Sequence, residues 1–133
     1  MSEQVLFVVN QTEERQRELK KTYEQVHFKF FSSIKEVTSF TDATVLVTFG
    51  EDVTPEILNQ AKELKWIHVL SAGVEHLPFE QILNRNILVT NSRGIHATPM
   101  SEHAMWMMLD YVKRAQDYRQ AQAEKAWIRN QKP

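Results

Sequence analysis

The sequence predicts an α/β domain built on a doubly wound sheet of five parallel strands, with a long helix toward the C-terminus. Three observations predict it. Short β-branched and aromatic runs recur at residues 5–9, 44–49, 66–70 and 87–90, and near-continuous apolar runs suit strands covered on both faces. Helix signals separate these runs at short loop lengths, as right-handed βαβ units require. From Pro99 onward no strand pattern returns, and apolar residues recur at helical spacing instead.

The first strand, Val5-Leu6-Phe7-Val8-Val9, ends at the turn former Asn10. Thr12 is placed to cap a polar helix reaching Tyr23, with Glu13 and Glu14 in its first turn. That helix has little apolar content and is expected to be exposed. Residues 27–31 form a second strand with weaker alternation, as at a sheet edge. Ser32-Ser33 should start a short helix through about Phe40. The third strand, 44–49, closes at Gly50. Thr54-Pro55-Glu56 is a helix start with proline at the first helical position, and this helix should end near Leu64. Strand four is 66–70, residues 78–83 form a short helix, and strand five is 87–90. This rhythm suggests a flavodoxin-like sheet of order 2-1-3-4-5, whose ligands sit at the carboxyl ends of the strands.

A long helix is expected from about Met100. Met105, Met108, Leu109 and Val112 form one stripe, and Trp106 and Met107 widen the apolar face beyond it. Such a helix wants covering from two sides. Residues 116–131 are polar and should continue helically.

Composition narrows the function. Sixteen basic against 17 acidic residues, a net charge of −1, give no pull toward nucleic acid or an anionic membrane. With no cysteine there is no disulfide, thiolate metal site or cysteine nucleophile. No apolar run is long enough to span a bilayer, and the acidic start is not a signal peptide. A soluble cytoplasmic domain is expected, without a metal.

Strand four runs directly into Ser71-Ala72-Gly73-Val74-Glu75. From spacing alone the turn has two readings. Successive turn amides can cradle an anion such as a carboxylate, or Gly73 simply permits an ordinary bend. None of the five histidines pairs with another at a metal-binding helical spacing. There is no G-x-G-x-x-G, no Walker loop and no G-x-S-x-G elbow. A phosphoacceptor receiver is excluded, since Asn10 and Thr48-Phe49-Gly50 stand where acids would be needed.

Residues 64–77, Leu-Lys-Trp-Ile-His-Val-Leu-Ser-Ala-Gly-Val-Glu-His-Leu, resemble the signature of the D-isomer-specific 2-hydroxyacid dehydrogenases. So do Ile87-Leu88-Val89-Thr90-Asn91-Ser92-Arg93-Gly94 and Pro99-Met100-Ser101-Glu102-His103-Ala104. The resemblance implies that residues 1–98 are the substrate domain of a two-domain enzyme. It makes residues 99–133 an interdomain helix and the start of a Rossmann domain outside this chain. It implies that Ala72, Gly73 and Val74 receive the substrate carboxylate through their amides, with Glu75 where the family commonly has aspartate. His96 aligns with a position that offers a polar side chain to the substrate, and His103 with one that approaches the cofactor.

The family transfers a hydride between C2 of the acid and NAD or NADP, using a histidine, a carboxylate and an arginine. All three follow the interdomain helix and are absent here, so no catalytic residue is expected in this chain. The expectation is therefore the N-terminal part of an NAD(P)-dependent oxidoreductase acting on small D-2-hydroxy or 2-oxo acids. It would be inactive alone and a homodimer through residues 100–114. The alternative is a stand-alone module that binds a small carboxylate, regulates or dimerises without catalysis.

Overall fold

Residues 3–129 are described by the computed structural model. Five parallel strands, β1 (Gln4–Phe7), β2 (His27–Phe30), β3 (Val45–Thr48), β4 (Trp66–Val69) and β5 (Leu88–Asn91), form one sheet. Their order is β2-β1-β3-β4-β5, as the strand rhythm predicts. The helices are α1 (Glu13–Thr22), α2 (Pro55–Gln60), α3 (Phe79–Asn84), α4 (Ala97–Val112) and α5 (Ala115–Ala123). The chain divides into two compact units, Met1–Arg93 with the sheet and Gly94–Pro133 with α4 and α5.

The core of the first unit lies on one sheet face. Leu6, Leu46, Ile67 and Val69 are essentially inaccessible and pack with Leu58 of α2 and Ile82 of α3. Only the central strand β3 is buried at every position. The opposite face is less covered. There Val5, Phe7, Val45 and Val47 share an open groove of about 560 Å³ with Leu19 and Tyr23 at α1. Polar groups on that face satisfy one another across the β4–β5 pair. The Thr90 hydroxyl accepts from Trp66 Nε1 and meets His68 Nδ1, each at 2.8 Å.

Capping follows the sequence closely. Thr12 caps α1 by accepting from the Arg15 amide, and α1 buries no residue. Thr54 caps α2 by accepting from the Ile57 amide, with Pro55 at the helix start. The far end of α2 is held from α3. Arg85 donates to the carbonyls of Leu58, of Ala61 (2.6 Å) and of Lys62 (3.0 Å). A guanidinium at a helix C-terminus both satisfies orphan carbonyls and complements the dipole.

Four expectations are corrected. The helix expected over 32–40 is a single 3-10 turn, Ile34–Glu36. Ser33 accepts from the Lys35 amide and the Glu36 carboxylate takes the Ser32 N–H at 2.9 Å. Both bonds cap the start of the turn, and the helix stops because Val37 is already extended and packs its side chain against the core. α2 stops at Gln60 rather than near Leu64. Tight turns after Ala61 return the chain to the sheet and bury Leu64.

The helix from Pro99 neither starts at Met100 nor runs on unbroken. It begins at Ala97, because proline is tolerated in a first helical turn that needs no N–H there. It ends at Val112, and Arg114 turns left-handed (φ 53°) before α5. Asp110 and Arg119 clasp the elbow through paired bonds of 2.8 and 3.1 Å. The expected polar helix over 116–131 therefore ends at Ala123. Lys125 is again left-handed, and residues 130 and 131 lie outside the described residues.

Candidate functional site

The carboxyl edge of β3, β4 and β5 carries three connected pieces of chain. After β3, Thr48 is fully buried and donates its hydroxyl to Asp52 at 2.8 Å, while accepting the Gly50 N–H at 3.0 Å. Gly50 has φ +96°, and a Cβ there would lie 3.3 Å from Val69 Cγ1. This tight turn leaves Phe49 more than half exposed at the edge. After β4 comes the turn 71–75. After β5 comes Ser92, whose N–H donates to the carbonyls of Val69 (3.0 Å) and Ser71 (3.2 Å).

The turn is pinned through its carbonyls. Asn91 Nδ2 donates to the Ala72 carbonyl at 2.6 Å. The Ser71 hydroxyl lies 2.8 Å from the Gly73 carbonyl and 3.3 Å from that of Phe49. Register explains the reach of Asn91, since β4 and β5 pair Val69 with Asn91 one step before the turn. With the carbonyls taken, the amides remain. Among the described residues, the N–H groups of Ala72, Gly73 and Val74 make no well-aligned hydrogen bond to a protein acceptor.

One acid lies against this turn. A methyl group placed on Gly73 would sit 2.5 and 2.8 Å from the two carboxylate oxygens of Glu75. The amide of Glu75, then that of Val74 and the charge of His76, hold the Glu75 carboxyl below its ordinary range, against some desolvation. Gly73 itself is not left-handed; the positive-φ glycines are Gly50 and Gly94. The bend therefore does not need glycine for its dihedral angle, and what the missing side chain provides is space beside the amides.

The structure brings Ala72, Gly73 and Val74 together on one exposed to half-buried edge. His96 and His103 belong to the second unit. His96 precedes α4 without capping it through its side chain. His103 lies on α4, with its ring 5.5 Å from that of Trp106. Among the described residues no group of three acids or histidines could hold a metal, and no helix is long and apolar enough to cross a membrane.

Sequence reasoning missed the pinning roles of Ser71 and Asn91. An asparagine ending a strand beside a glycine turn was the available signal. The turn also lies one strand to the side of the switch point, which falls between β1 and β3. The Ser71 link to Phe49 ties it back to β3.

Solved structures share this architecture. Phosphoglycerate dehydrogenase from Lactobacillus plantarum is 27% identical, with a TM-score of 0.58 over 94% of this chain and 40% of its own. D-Lactate dehydrogenase from Aquifex aeolicus, complexed with NAD and lactic acid, is 20% identical, with a TM-score of 0.76 over 96% of this chain and 39% of its own. A D-isomer specific 2-hydroxyacid dehydrogenase family protein from Aeromonas salmonicida subsp. salmonicida is 20% identical, with a TM-score of 0.76 over 100% of this chain and 43% of its own. The chain thus spans about two-fifths of the length of these solved proteins. The family model for the catalytic domain of D-isomer specific 2-hydroxyacid dehydrogenases matches residues 5–130. The chain belongs to the D-isomer specific 2-hydroxyacid dehydrogenase family, as a member of its catalytic domain.

Proposed function

We propose that the turn 71–75 is the carboxylate-receiving half of an active site. The parent protein is then an NAD(P)-dependent oxidoreductase of small D-2-hydroxy acids or their 2-oxo counterparts. One observation carries this reading. Consecutive N–H groups of Ala72, Gly73 and Val74 are left without aligned protein partners at a sheet's carboxyl edge, while the carbonyls of Ala72 and Gly73 are bonded. Donors so arranged match a carboxylate, whose lone pairs only accept.

The remaining chemistry is not held in these residues. The sequence has three glycines and no G-x-G-x-x-G, so it does not fit the phosphate grip of a dinucleotide. NAD or NADP is assigned to another part of the parent, as are the catalytic histidine, carboxylate and arginine. By the family resemblance, His96 offers a polar side chain to the substrate and His103 approaches the cofactor. Residues 1–98 act as the substrate domain, and residues 99–133 as the interdomain helix leading on. This chain alone is inactive.

The α4 surface supports a homodimer. Met105, Trp106, Met107, Met108, Leu109 and Val112 are each at least half exposed, an apolar patch of the kind that marks protein interfaces. The balanced charge and lack of cysteine support a cytoplasmic protein that binds neither nucleic acid nor membrane.

The test is NADH or NADPH oxidation with a panel of 2-oxo acids. It compares the full reading frame containing this sequence with the 133-residue chain. The expected result is turnover by the former only. Pyruvate binding by the chain with no turnover in the full protein would favour a stand-alone binding or regulatory module instead.

A further inference from the structure

The Glu75 carboxylate lies beside Gly73, at the turn assigned above to an incoming carboxylate. A methyl group on Gly73 would collide with both of its carboxylate oxygens, at 2.5 and 2.8 Å. The side chain therefore folds back over the turn rather than out into water. It is exposed, so nothing in the core compels this pose. Its carboxyl is held below its ordinary range by the nearby amide of Glu75 first, then by that of Val74 and the charge of His76, although neither amide makes a well-aligned hydrogen bond to it. Val74 is one of the residues assigned above to the substrate. An internal carboxylate beside Gly73 and a substrate carboxylate on the amides of the same turn stand at short range, where two like charges repel.

We propose that Glu75 is a displaceable internal latch, a carboxylate of the chain that lies on the turn and must swing away before a substrate carboxylate binds. This rests on the reading of the turn as a carboxylate site. The latch taxes affinity by the fraction of molecules in the open state. A turn latched about nine-tenths of the time binds roughly tenfold more weakly than a free one. It also rejects ligands without a carboxylate, since only a better acceptor displaces an acceptor already in place.

The experiment is an amide chemical-shift titration of the 133-residue chain with pyruvate, at neutral pH and fixed ionic strength. It compares wild type, Glu75→Gln, and Glu80→Gln as a control that neutralises an acid on α3. The expected result is that Glu75→Gln binds pyruvate about tenfold more tightly at the amides of Ala72, Gly73 and Val74. Glu80→Gln should change affinity less than about twofold, as screened surface charge does.

A second readout uses no ligand. The amide protons of Val74 and Glu75 in the wild type should move together as the Glu75 carboxyl titrates below its ordinary range. Equal pyruvate affinity in wild type and Glu75→Gln would overturn the latch and leave the carboxylate site standing. Equal gains in Glu75→Gln and Glu80→Gln would also overturn it, reducing the effect to net charge. If pyruvate leaves the turn undisturbed even in Glu75→Gln, the site reading falls and the latch with it.

Discussion

Asn91 is the side chain on which the geometry of the turn most depends. It reaches from the end of β5 to the Ala72 carbonyl at 2.6 Å, and it lies outside the hydrophobic core cluster. Asn91→Ala removes one neutral hydrogen bond and little packing. Such a bond contributes about 0.5–1.5 kcal/mol net. At about 1.4 kcal/mol per factor of ten, the ordered turn loses roughly two- to tenfold in population relative to displaced forms. Affinity for pyruvate should fall by up to that factor, reaching it where displaced forms outweigh the ordered turn, because only the ordered turn presents its amides together.

Asn91→Asp should do more, since it sets a carboxylate against a carbonyl oxygen and beside an anion site. The assay is a pyruvate titration followed at the turn amides, with urea unfolding as the stability control. The reasoning is refuted if Asn91→Ala binds pyruvate as well as wild type. It is equally refuted if the variant loses several kcal/mol of stability, for then Asn91 would be a core support and not a pin.

Other consequences follow from the same contacts. Arg85→Ala should destabilise the first unit by about 2 kcal/mol, because charge-assisted bonds to three carbonyls at the α2 end are lost; urea unfolding checks it. Gly50→Ala should cost about 1–3 kcal/mol, since an alanine must hold φ +96° while its Cβ presses on Val69; the same unfolding measurement applies. Hydrogen bonding and charge from Arg119 hold the Asp110 carboxyl below its ordinary range. The α4–α5 clasp is therefore fully formed above the ordinary aspartate range and is lost as pH falls through the depressed value. Hindered rotation of the Arg119 guanidinium, read from its Nη–H resonances, should be lost only in that acidic window in wild type, and already at neutral pH in Asp110→Asn.

Much of this fold was legible because its signals are local. Continuous apolar runs marked all five strands, although their ends moved by one or two residues, and Thr12, Thr54 and Pro55 marked two helix starts. Strand order followed from the βαβ rhythm. What was not legible depends on core packing or on distant partners. Val37 turns extended to reach the core and leaves the expected helix a single turn, and no periodicity records that. The left-handed Arg114 breaks the long helix at a residue with high helix propensity, with the Asp110–Arg119 pair closing the elbow nine residues apart. At the site, Gly73 was readable as a special position, but not for its dihedral angle. The pins from Ser71 and Asn91 and the fold-back of Glu75 are properties of side-chain placement.

In the proposed function, the amides of Ala72, Gly73 and Val74 receive a substrate carboxylate. A crystal structure of the full protein with its nicotinamide cofactor and oxamate, a non-reactive 2-oxo acid analogue, tests it most directly. The oxamate carboxylate oxygens are expected about 2.7–3.2 Å from amide nitrogens of this turn, with the Glu75 side chain swung off Gly73. Oxamate bound elsewhere, with Glu75 still folded over an unliganded turn, would contradict it.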